Sequence, residues 1–533
     1  MNKTTIAITI ALLLSGCLST KQYNKALAEK RSVNELQSDI DFLHRKLERY
    51  HPQLYLYISK SELDYKFDSL KSTIKEPMTS REFYYKVAPV VASIKQGHSR
   101  LFQSTKDFTS KEIKQYKINS YGKTPLAKMN FGVFNDKLFV LGNDSWNKAI
   151  SPGTEVVSIN GIATKLLLDK YKTTFASDGF NTTFKDRMLS KRFHAFLLSD
   201  FDFTDSLTCS VRVADSLATM VLLRQKPIDT TKRDSIKAAI KKSLTAAQKD
   251  SVKIEKRKKK YLGYNYDEKS FSKSLTFLEA DSSIALLHIG DFSQGQYKKF
   301  YKNTFKTLDS LKTETLIIDL RNNLGGRADE IKDLYSYLAD TNFVFIDKSE
   351  IVSPKSMLFT AFFKGKSVLF NVLTFPIYPI YAGVALTRLS KDNDKYFFRL
   401  GVTKKTEPKA NRFKGKVYVL INGASFSASC TISSNLKGSK RAIFVGEETG
   451  GGYNGTVAGI MPVFTLPNTK LKVKFGLMTV DSHHKTDVFG HGIYPDVPIT
   501  PTLDDFLNGN DPEVKWVVDK VKSEKAAKQV TQE

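Results

Sequence analysis

Cysteine and tryptophan are scarce in this chain, which has 3 cysteines and 2 tryptophans among its 533 residues. So few cysteines exclude a disulfide-built scaffold and a zinc site made of several thiolates. Cys209 and Cys430 leave room for one disulfide, and the sequence alone does not decide whether they meet. The 8 histidines include no H-E-x-x-H pattern, which many zinc hydrolases carry on a helix. We therefore expect no metal site.

Signals for nucleotide binding are missing as well. The run "GGGYNG" at 450–455 formally matches G-x-G-x-x-G. A dinucleotide site needs a helix after that motif, and here the strand-like run "TVAGIMPVFTLP" follows. The run also lacks the Gly-Lys-Ser/Thr of a phosphate loop. We therefore expect no cofactor.

Acidic residues are outnumbered, at 55 against 82 lysines and arginines, and the net charge is +27. A large share of the excess lies at 226–260, which carries 13 basic and 4 acidic residues, a net of +9. Apolar residues recur there at helical spacing, which predicts a solvent-facing amphipathic helix inserted in a larger module. Loose attraction to anionic lipid or cell-wall polymers is an alternative. Because the chain looks exported, we expect no nucleic-acid partner.

The chain starts with "MNKTTIAITIALLLSGCLST", in which a lysine precedes an apolar run and small residues. The run is too short to span a bilayer and is typical of a signal peptide. Its end, "LSGC", resembles the bacterial lipobox. That resemblance implies a signal peptide at 1–16, a lipidated Cys17 and a membrane anchor. No acidic residue follows Cys17 closely, so we expect the chain to face the periplasm.

Four further regions follow from the change of hydrophobic period along the chain. Residues 17–125 show helical spacing and predict a helical N-terminal domain. The pattern over residues 126–270 predicts strands. Within it, "GTEVVSINGIATKLLLDKY" resembles the strand, turn and helix of a PDZ domain. A generic β-rich module is the alternative. Strands alternate with helices over 271–505, which predicts an α/β core. A helical tail occupies 506–533.

One stretch of this core is unusually apolar, "SVLFNVLTFPIYPIYAGVALTR" at 367–388. Its asparagine, two prolines and glycine make it a poor membrane-spanning helix. An apolar flap over a cleft, or a patch at an interface, fits the composition better.

The run "NGASFSAS" at 422–429 sets three serines two apart, between the strand-like "KVYVLI" and a helix-like run. Small residues on a strand-to-helix turn suit a nucleophile that must stand clear of its neighbours, or simply allow tight packing. Four segments follow one another along the chain: "LIIDLRNNLGG", "NGASFSAS", "VGEETGGG" and "GHGIYPDV". Together they resemble peptidase family S41, which includes carboxy-terminal processing proteases and the tricorn core protease.

The resemblance implies site residues by position. It places the nucleophile at the middle serine, Ser427, at a helix N-terminus whose free N–H groups favour negative charge. The oxyanion donors implied are the N–H of Ala428 and that of Gly325 or Gly326.

Processing proteases use a lysine base 25 residues after the serine, but this chain has Gly452 there. The tricorn-like branch uses a histidine from an upstream helical region, and "KQGHSRL" offers His98. An unperturbed histidine titrates near pKa ~6.5, so activity should rise through roughly pH 6 to 7.5. For the third member we expect Asp487, with Glu447 and Asp496 as alternatives.

The resemblance therefore predicts an α/β fold with a crotonase/ClpP-like catalytic core, a helical N-terminal domain and a PDZ-like module. It implies a lipid-anchored serine endopeptidase acting on peptide or protein substrates. The competing interpretation is a peptide-binding lipoprotein that keeps the fold without turnover.

Overall fold

The computed structural model describes residues 20–225, 246–266, 269–366 and 368–530. The expected signal peptide, Cys17 and the first part of the lysine-rich stretch lie outside the described residues.

Capped helices build the N-terminal region. Ser32 and Glu35 form a reciprocal capping box, as do Thr79 and Glu82. The elements, in chain order, are α1 Thr20–Ala28, α2 Val33–Tyr50, α3 Lys60–Thr73, α4 Ser80–Ala92, β1 Arg100–Phe102, α5 Ser110–Gln115 and α6 Ile118–Tyr121.

The middle region is an antiparallel sheet in the order β2-β3-β4-β6-β7, with β5 paired to β4. Asn160 and Gly161 both have positive φ and close the β4–β5 turn, as an Asn-Gly pair favours. Its elements are β2 Met129–Phe134, β3 Lys137–Asn143, β4 Glu155–Ile159, β5 Ile162–Ala163, α7 Thr164–Lys172, α8 Thr183–Phe201, β6 Ser206–Val213 and β7 Ser216–Leu223.

A basic helix and a short hairpin lead into the α/β region. These are α9 Ala246–Leu262, β8 Tyr264–Asn265 and β9 Ser270–Phe271. The α/β region then comprises β10 Lys273–Phe277, β11 Ile284–Ile289, α10 Tyr297–Ser310, β12 Thr315–Asp319, α11 Ala328–Ser336, β13 Ser349–Ile351, a π-helical turn Ser356–Thr360, α12 Ala361–Phe363, α13 Val368–Thr374, a 3₁₀ turn Phe375–Ile377, α14 Tyr378–Leu386, β14 Leu389–Asp392, β15 Lys395–Phe398, a 3₁₀ turn Gly401–Thr403, β16 Lys416–Ile421, α15 Ala428–Gly438, β17 Ile443–Gly446, β18 Gly455–Ala458, β19 Val463–Thr465, β20 Lys472–Lys474, β21 Met478–Asp481 and β22 Val497–Pro498.

The central sheet of this region has the order β10-β11-β12-β16-β17-β22. All its neighbours are parallel except β10 and β11. Helices cross between the parallel strands, which confirms the α/β core expected from the alternating pattern. Because β12 and β16 pair in parallel, the loops at their carboxyl ends lie side by side, and ligands bind at such ends in open α/β sheets.

The tail is helical and covers the central sheet, with α16 Leu503–Asn508 and α17 Pro512–Val530. Val517 and Val521 of α17 pack against Ile317 and Tyr418. The tail therefore belongs to the α/β region.

The N-terminal helices do not have a hydrophobic core of their own. Buried side chains such as Leu43 and Phe83 share one core with Phe464, Val473 and Phe475. Strand β1 also pairs with β20 in a small sheet of order β1-β20-β19. The N-terminal region is thus fixed to the α/β region, and this attachment positions the residues that follow α4.

Cys209 and Cys430 are both buried and free. Cys209 lies on β6, among the side chains of the middle region, and Cys430 lies on α15. The disulfide that the sequence allowed does not form.

Candidate active site

The turn between β16 and α15 carries Ser427 directly before the helix. Ser427 has φ 58° and ψ −117°, a conformation that L-residues rarely adopt. Such backbone strain costs about 1–3 kcal/mol and persists only where the surroundings enforce it. Here the neighbours are held on both sides: Phe426 N–H donates to Asn323 O at 3.0 Å, and Gly450 N–H donates to Ser425 O at 3.1 Å.

The three serines of the turn have different environments. Ser425 is buried, and its hydroxyl donates to Leu320 O at 2.8 Å. Ser429 is also buried and donates to Asn323 O at 2.8 Å. Ser427 is partly exposed, and its Oγ lies 3.0 Å from Nε2 of His98. The outer two serines hold the turn to the loop after β12, and the middle one faces a histidine.

His98 lies between α4 and β1, so the pairing of β1 with β20 fixes its backbone near the α/β region. Its ring packs against Phe426, with the centroids 4.8 Å apart and the planes tilted by 31°. Burial, with a smaller contribution from the nearby Lys474 charge, lowers the pKa of His98 to about 4. The imidazole is therefore neutral at pH 7, which is the form that accepts a proton. This corrects the ordinary pKa that the sequence led us to expect.

The second ring nitrogen of His98 contacts a threonine. Nδ1 lies 3.1 Å from Oγ1 of Thr456, on β18. Behind Thr456 is the carboxylate of Asp178, to which the Thr456 hydroxyl hydrogen-bonds. Neither residue was singled out from the sequence.

Asp178 is 1% exposed and is held by backbone donors. The N–H of Gly97 donates to it at 2.7 Å and that of Gly452 at 3.3 Å. Burial raises the pKa of Asp178 to about 6, against the lowering effect of these hydrogen bonds. The carboxylate is therefore mainly ionised at neutral pH and accepts hydrogen bonds only.

These contacts decide the histidine tautomer. A threonine hydroxyl has one proton to donate, and an ionised Asp178 has none, so Thr456 donates its proton to Asp178. Thr456 Oγ1 must then accept a hydrogen bond from His98, so Nδ1 carries the proton and Nε2 is unprotonated. A bare Nε2 at 3.0 Å accepts the hydroxyl proton of Ser427. The network thus orients a neutral imidazole as a base toward a serine.

The loop after β12 places two glycines against the serine turn. A Cβ on Gly325 would lie 2.8 Å from Ser427 Cβ and 2.9 Å from Ala428 N, so only glycine fits. Gly325 N–H donates to Asn323 Oδ1 at 2.9 Å. In the described ranges no hydrogen bond is made by the N–H of Ala428 or that of Gly326. Of the expected donors, these two N–H groups stay available.

The carboxylates expected as third member lie elsewhere. Asp487 is in an exposed loop, and the contact of His98 Nδ1 is to Thr456. Glu447 pairs with Arg187 through two hydrogen bonds, of 2.8 and 2.6 Å. Asp496 accepts from Phe444 N–H at 2.8 Å. The structure therefore brings none of these three to the histidine.

The position where processing proteases have a lysine offers no room for one. A Cβ on Gly452 would lie 2.8 Å from Gly455 O, which is backbone and cannot rotate away. Its N–H is also used by Asp178.

One cluster in the described residues has the spacing of a metal site: His44, Glu48 and Asp64. The ammonium of Lys60 already lies 2.9 Å from Glu48 Oε1 and 2.9 Å from Asp64 Oδ2. A lysine thus neutralises these carboxylates, and the cluster gives no reason to infer a metal.

Comparison with known proteins bears on the family and the fold. The model of peptidase family S41 matches residues 283–499. Mature CPAF is similar in structure at 15% identity, covering 92% of this chain and 96% of its own, with a TM-score of 0.58. Its complex with lactacystin, at 14% identity, covers 92% and 98%, with a TM-score of 0.57. At such identities the structural likeness shows the fold. No curated protein matches the chain significantly.

Proposed function

Since the chain is a serine-type peptidase of family S41, with residues 283–499 as the matching core, we propose that it is a lipid-anchored endopeptidase with Ser427 as nucleophile and His98 as base. The observation that carries the assignment is the 3.0 Å contact between Ser427 Oγ and His98 Nε2. The serine stands on a strained turn at the N-terminus of α15. Nucleophile and base within hydrogen-bond reach are the hallmark of covalent catalysis by a hydroxyl.

In the first half-reaction, Ser427 Oγ attacks the peptide carbonyl as His98 Nε2 takes its proton. The carbonyl oxygen gains negative charge, which the N–H groups of Ala428 and Gly326 stabilise at the start of α15. When the C–N bond breaks, His98 returns the proton to the leaving amine. Water then attacks the acyl-serine by the same route, which frees the acid product and restores Ser427.

Thr456 and Asp178 act as positioning residues in this scheme. Protonation of Nε2 makes an imidazolium, whose Nδ1–H keeps its bond to Thr456 Oγ1. The Asp178 carboxylate polarises that hydroxyl and places negative charge behind the developing positive charge. Because Asp178 accepts from Gly97 N–H, next to His98 in the chain, it also fixes the backbone that carries the base.

Covalent labelling tests the proposal directly. A fluorophosphonate probe should attach to Ser427 of the purified chain, as peptide mapping by mass spectrometry would show. Ser427→Ala should not label, and Ser425→Ala should label if it folds. A folded chain that stays unlabelled would instead support the peptide-binding lipoprotein.

The lipid anchor is proposed from the sequence around Cys17 and the expected signal peptide at 1–16. The thiol would be the only acyl acceptor at that site. Cys17→Ser should accumulate unlipidated precursor in cells fed a labelled fatty acid. Normal lipid labelling of this variant would disprove anchoring at Cys17.

A further inference from the structure

Within the described residues, one helical stretch is long and apolar enough to cross a membrane, by length and composition: Leu369–Leu386. We call it the apolar segment. It runs through α13, the 3₁₀ turn that contains Pro376, and α14. An apolar helix of this kind is normally either buried in a core or surrounded by lipid.

The apolar segment is not in the core. Leu373 is 68% exposed, Phe375 62%, Ile377 56% and Ile380 70%. These exposed apolar side chains follow one another along the segment within eight residues. Soluble monomers rarely expose patches of this kind, and larger ones mark protein or membrane contacts.

The opposite side of the segment is fixed to the body of the protein. Tyr381 Oη donates to Met357 O at 2.6 Å, and Ala385 is only 2% exposed. Tyr378 packs on Phe363, with ring centroids 5.0 Å apart. The segment is therefore attached to the body along one side, an arrangement in which its other side can enter a bilayer from the surface.

The stretch of sequence that contains the segment carries basic residues only, although Glu350 and Asp392 adjoin its two ends and Lys391 pairs with Asp394. Between Ile351 and Lys391 the sequence contains no aspartate or glutamate and five basic residues, Lys355, Lys364, Lys366, Arg388 and Lys391. Lys364 and Lys366 precede the segment, and Arg388 follows it. An apolar helix with cations at both ends and tyrosines along it matches the chemistry of an anionic lipid surface. A second copy of this chain would bring the same cations together, which disfavours self-association through this face.

We propose that the apolar segment is a membrane-contact element that inserts into the interfacial layer of an anionic bilayer, with Lys364, Lys366 and Arg388 on lipid phosphates. It is a second attachment beside the anchor proposed at Cys17 and does not rest on that anchor. A chain held to the membrane at Cys17 and at the apolar segment would keep one face of the α/β region toward the lipid.

Photolabelling from the bilayer tests this on the full chain. The chain is reconstituted into phosphatidylglycerol vesicles that contain a diazirine phospholipid, and adducts are mapped by mass spectrometry. Adducts should concentrate at 369–386. The double variant Leu373→Asp/Ile380→Asp should lower them about tenfold or more, because aspartate is costly inside a bilayer. The matched control is Leu217→Asp/Val221→Asp on β7, where the replaced side chains are 60% and 61% exposed.

The control should keep the wild-type adducts, and both variants should still cleave a short soluble peptide, which shows that they fold. The charge-reversed variant Lys364→Glu/Lys366→Glu/Arg388→Glu should lose labelling on anionic vesicles and change little on neutral ones. Adducts elsewhere but none at 369–386 would overturn the proposal. A wild-type dimer that Leu373→Asp/Ile380→Asp converts to a monomer would assign the face to a second copy.

Discussion

The Ser427 turn and the apolar segment both carry a free-energy cost, the turn through backbone strain and the segment through exposed apolar side chains. They differ in what offsets that cost. The turn holds a residue at φ 58°, and two backbone hydrogen bonds, from Phe426 N–H to Asn323 O and from Gly450 N–H to Ser425 O, enforce that strain from within the chain. The apolar segment exposes Leu373 and Ile380 to water, and no described part of the chain covers them.

The difference separates two kinds of function. Every group to which the proposed mechanism gives a role at the Ser427 turn lies in the described residues, so variants there should act on turnover in solution. The apolar segment needs a surface from outside, so variants there should act only when that surface is present.

The largest effect should come from Ser427→Ala. Loss of the nucleophile removes the acyl-serine route, and by analogy with other serine peptidases turnover should fall by about 10⁴-fold or more. The free energy of unfolding should change little, because one partly exposed hydroxyl is removed. Peptide cleavage assays and thermal unfolding of the same preparations would measure both.

Ser425→Ala and Ser429→Ala are the matched controls. Ser425→Ala removes two buried hydrogen bonds, one to Leu320 O and one from Asn422 N–H, so it should lower the free energy of unfolding by about 1–3 kcal/mol. Ser429→Ala removes one buried hydrogen bond and should lower it by about 1 kcal/mol. Neither touches the base, so cleavage should be reduced far less than in Ser427→Ala. An inactive Ser425→Ala beside an active Ser427→Ala would place the nucleophile two residues earlier.

His98→Ala should have the next largest effect, about 10²–10⁴-fold on kcat, with a small change in KM, because general-base catalysis contributes that much. Adding Gly452→Lys to it should not restore activity, since its Cβ would meet Gly455 O at 2.8 Å. Steady-state kinetics of both variants test this. Near-normal turnover of His98→Ala would show that the base lies elsewhere.

Much of the fold and half of the site could be predicted from the sequence. The strand-turn-helix pattern around 422–429 and the glycine pair after β12 are local features, and parallel pairing of β12 and β16 then brings them together. Ser427 and His98 were singled out from motifs, and the structure places them 3.0 Å apart. Their catalytic roles stay predictions.

Thr456 and Asp178 could not be found in this way. Asp178 stands in the run "ASDGFN", which reads as an ordinary turn. It reaches the site because Gly179 N–H donates to Lys95 O at 2.8 Å and Phe180 N–H to Gly490 O at 2.7 Å. Those contacts are tertiary, and the local sequence pattern does not predict them. For the same reason the sequence suggested Asp487, which the fold leaves in an exposed loop.

A smaller effect should follow from loosening the histidine. Thr456→Val removes the acceptor for Nδ1–H and should lower kcat by about 10- to 100-fold, the range seen when positioning hydrogen bonds are lost around a site. Thr456→Ser keeps the hydroxyl and should retain most activity. If Thr456→Val acted only by destabilising the fold, its unfolding temperature would fall and Thr456→Ser would not retain activity. Thermal unfolding is therefore measured beside the kinetics.

The pH profile should show a smaller change still. His98, with its pKa lowered to about 4 by burial, stays neutral and basic well below pH 6. Asp178, with its pKa raised to about 6, gains a proton first as the pH falls. Activity should therefore decline slightly near pH 6 and steeply only toward pH 4. Asp178→Asn should abolish the first step. A single steep loss between pH 7.5 and 6 would show that His98 titrates normally.

The smallest effect on turnover in solution should come from the apolar segment. In Leu373→Asp/Ile380→Asp, kcat/KM for a short soluble peptide should stay within about twofold of wild type, because exposed side chains contribute little to folding. Cleavage of the same peptide tethered to anionic vesicles should fall, since the enzyme loses its second attachment and with it part of the effective substrate concentration. Both substrates are assayed on both variant and wild type, with Leu217→Asp/Val221→Asp as the matched control. If soluble cleavage fell as far as tethered cleavage, the segment would be part of the peptidase machinery, and the separation between the two regions would be wrong.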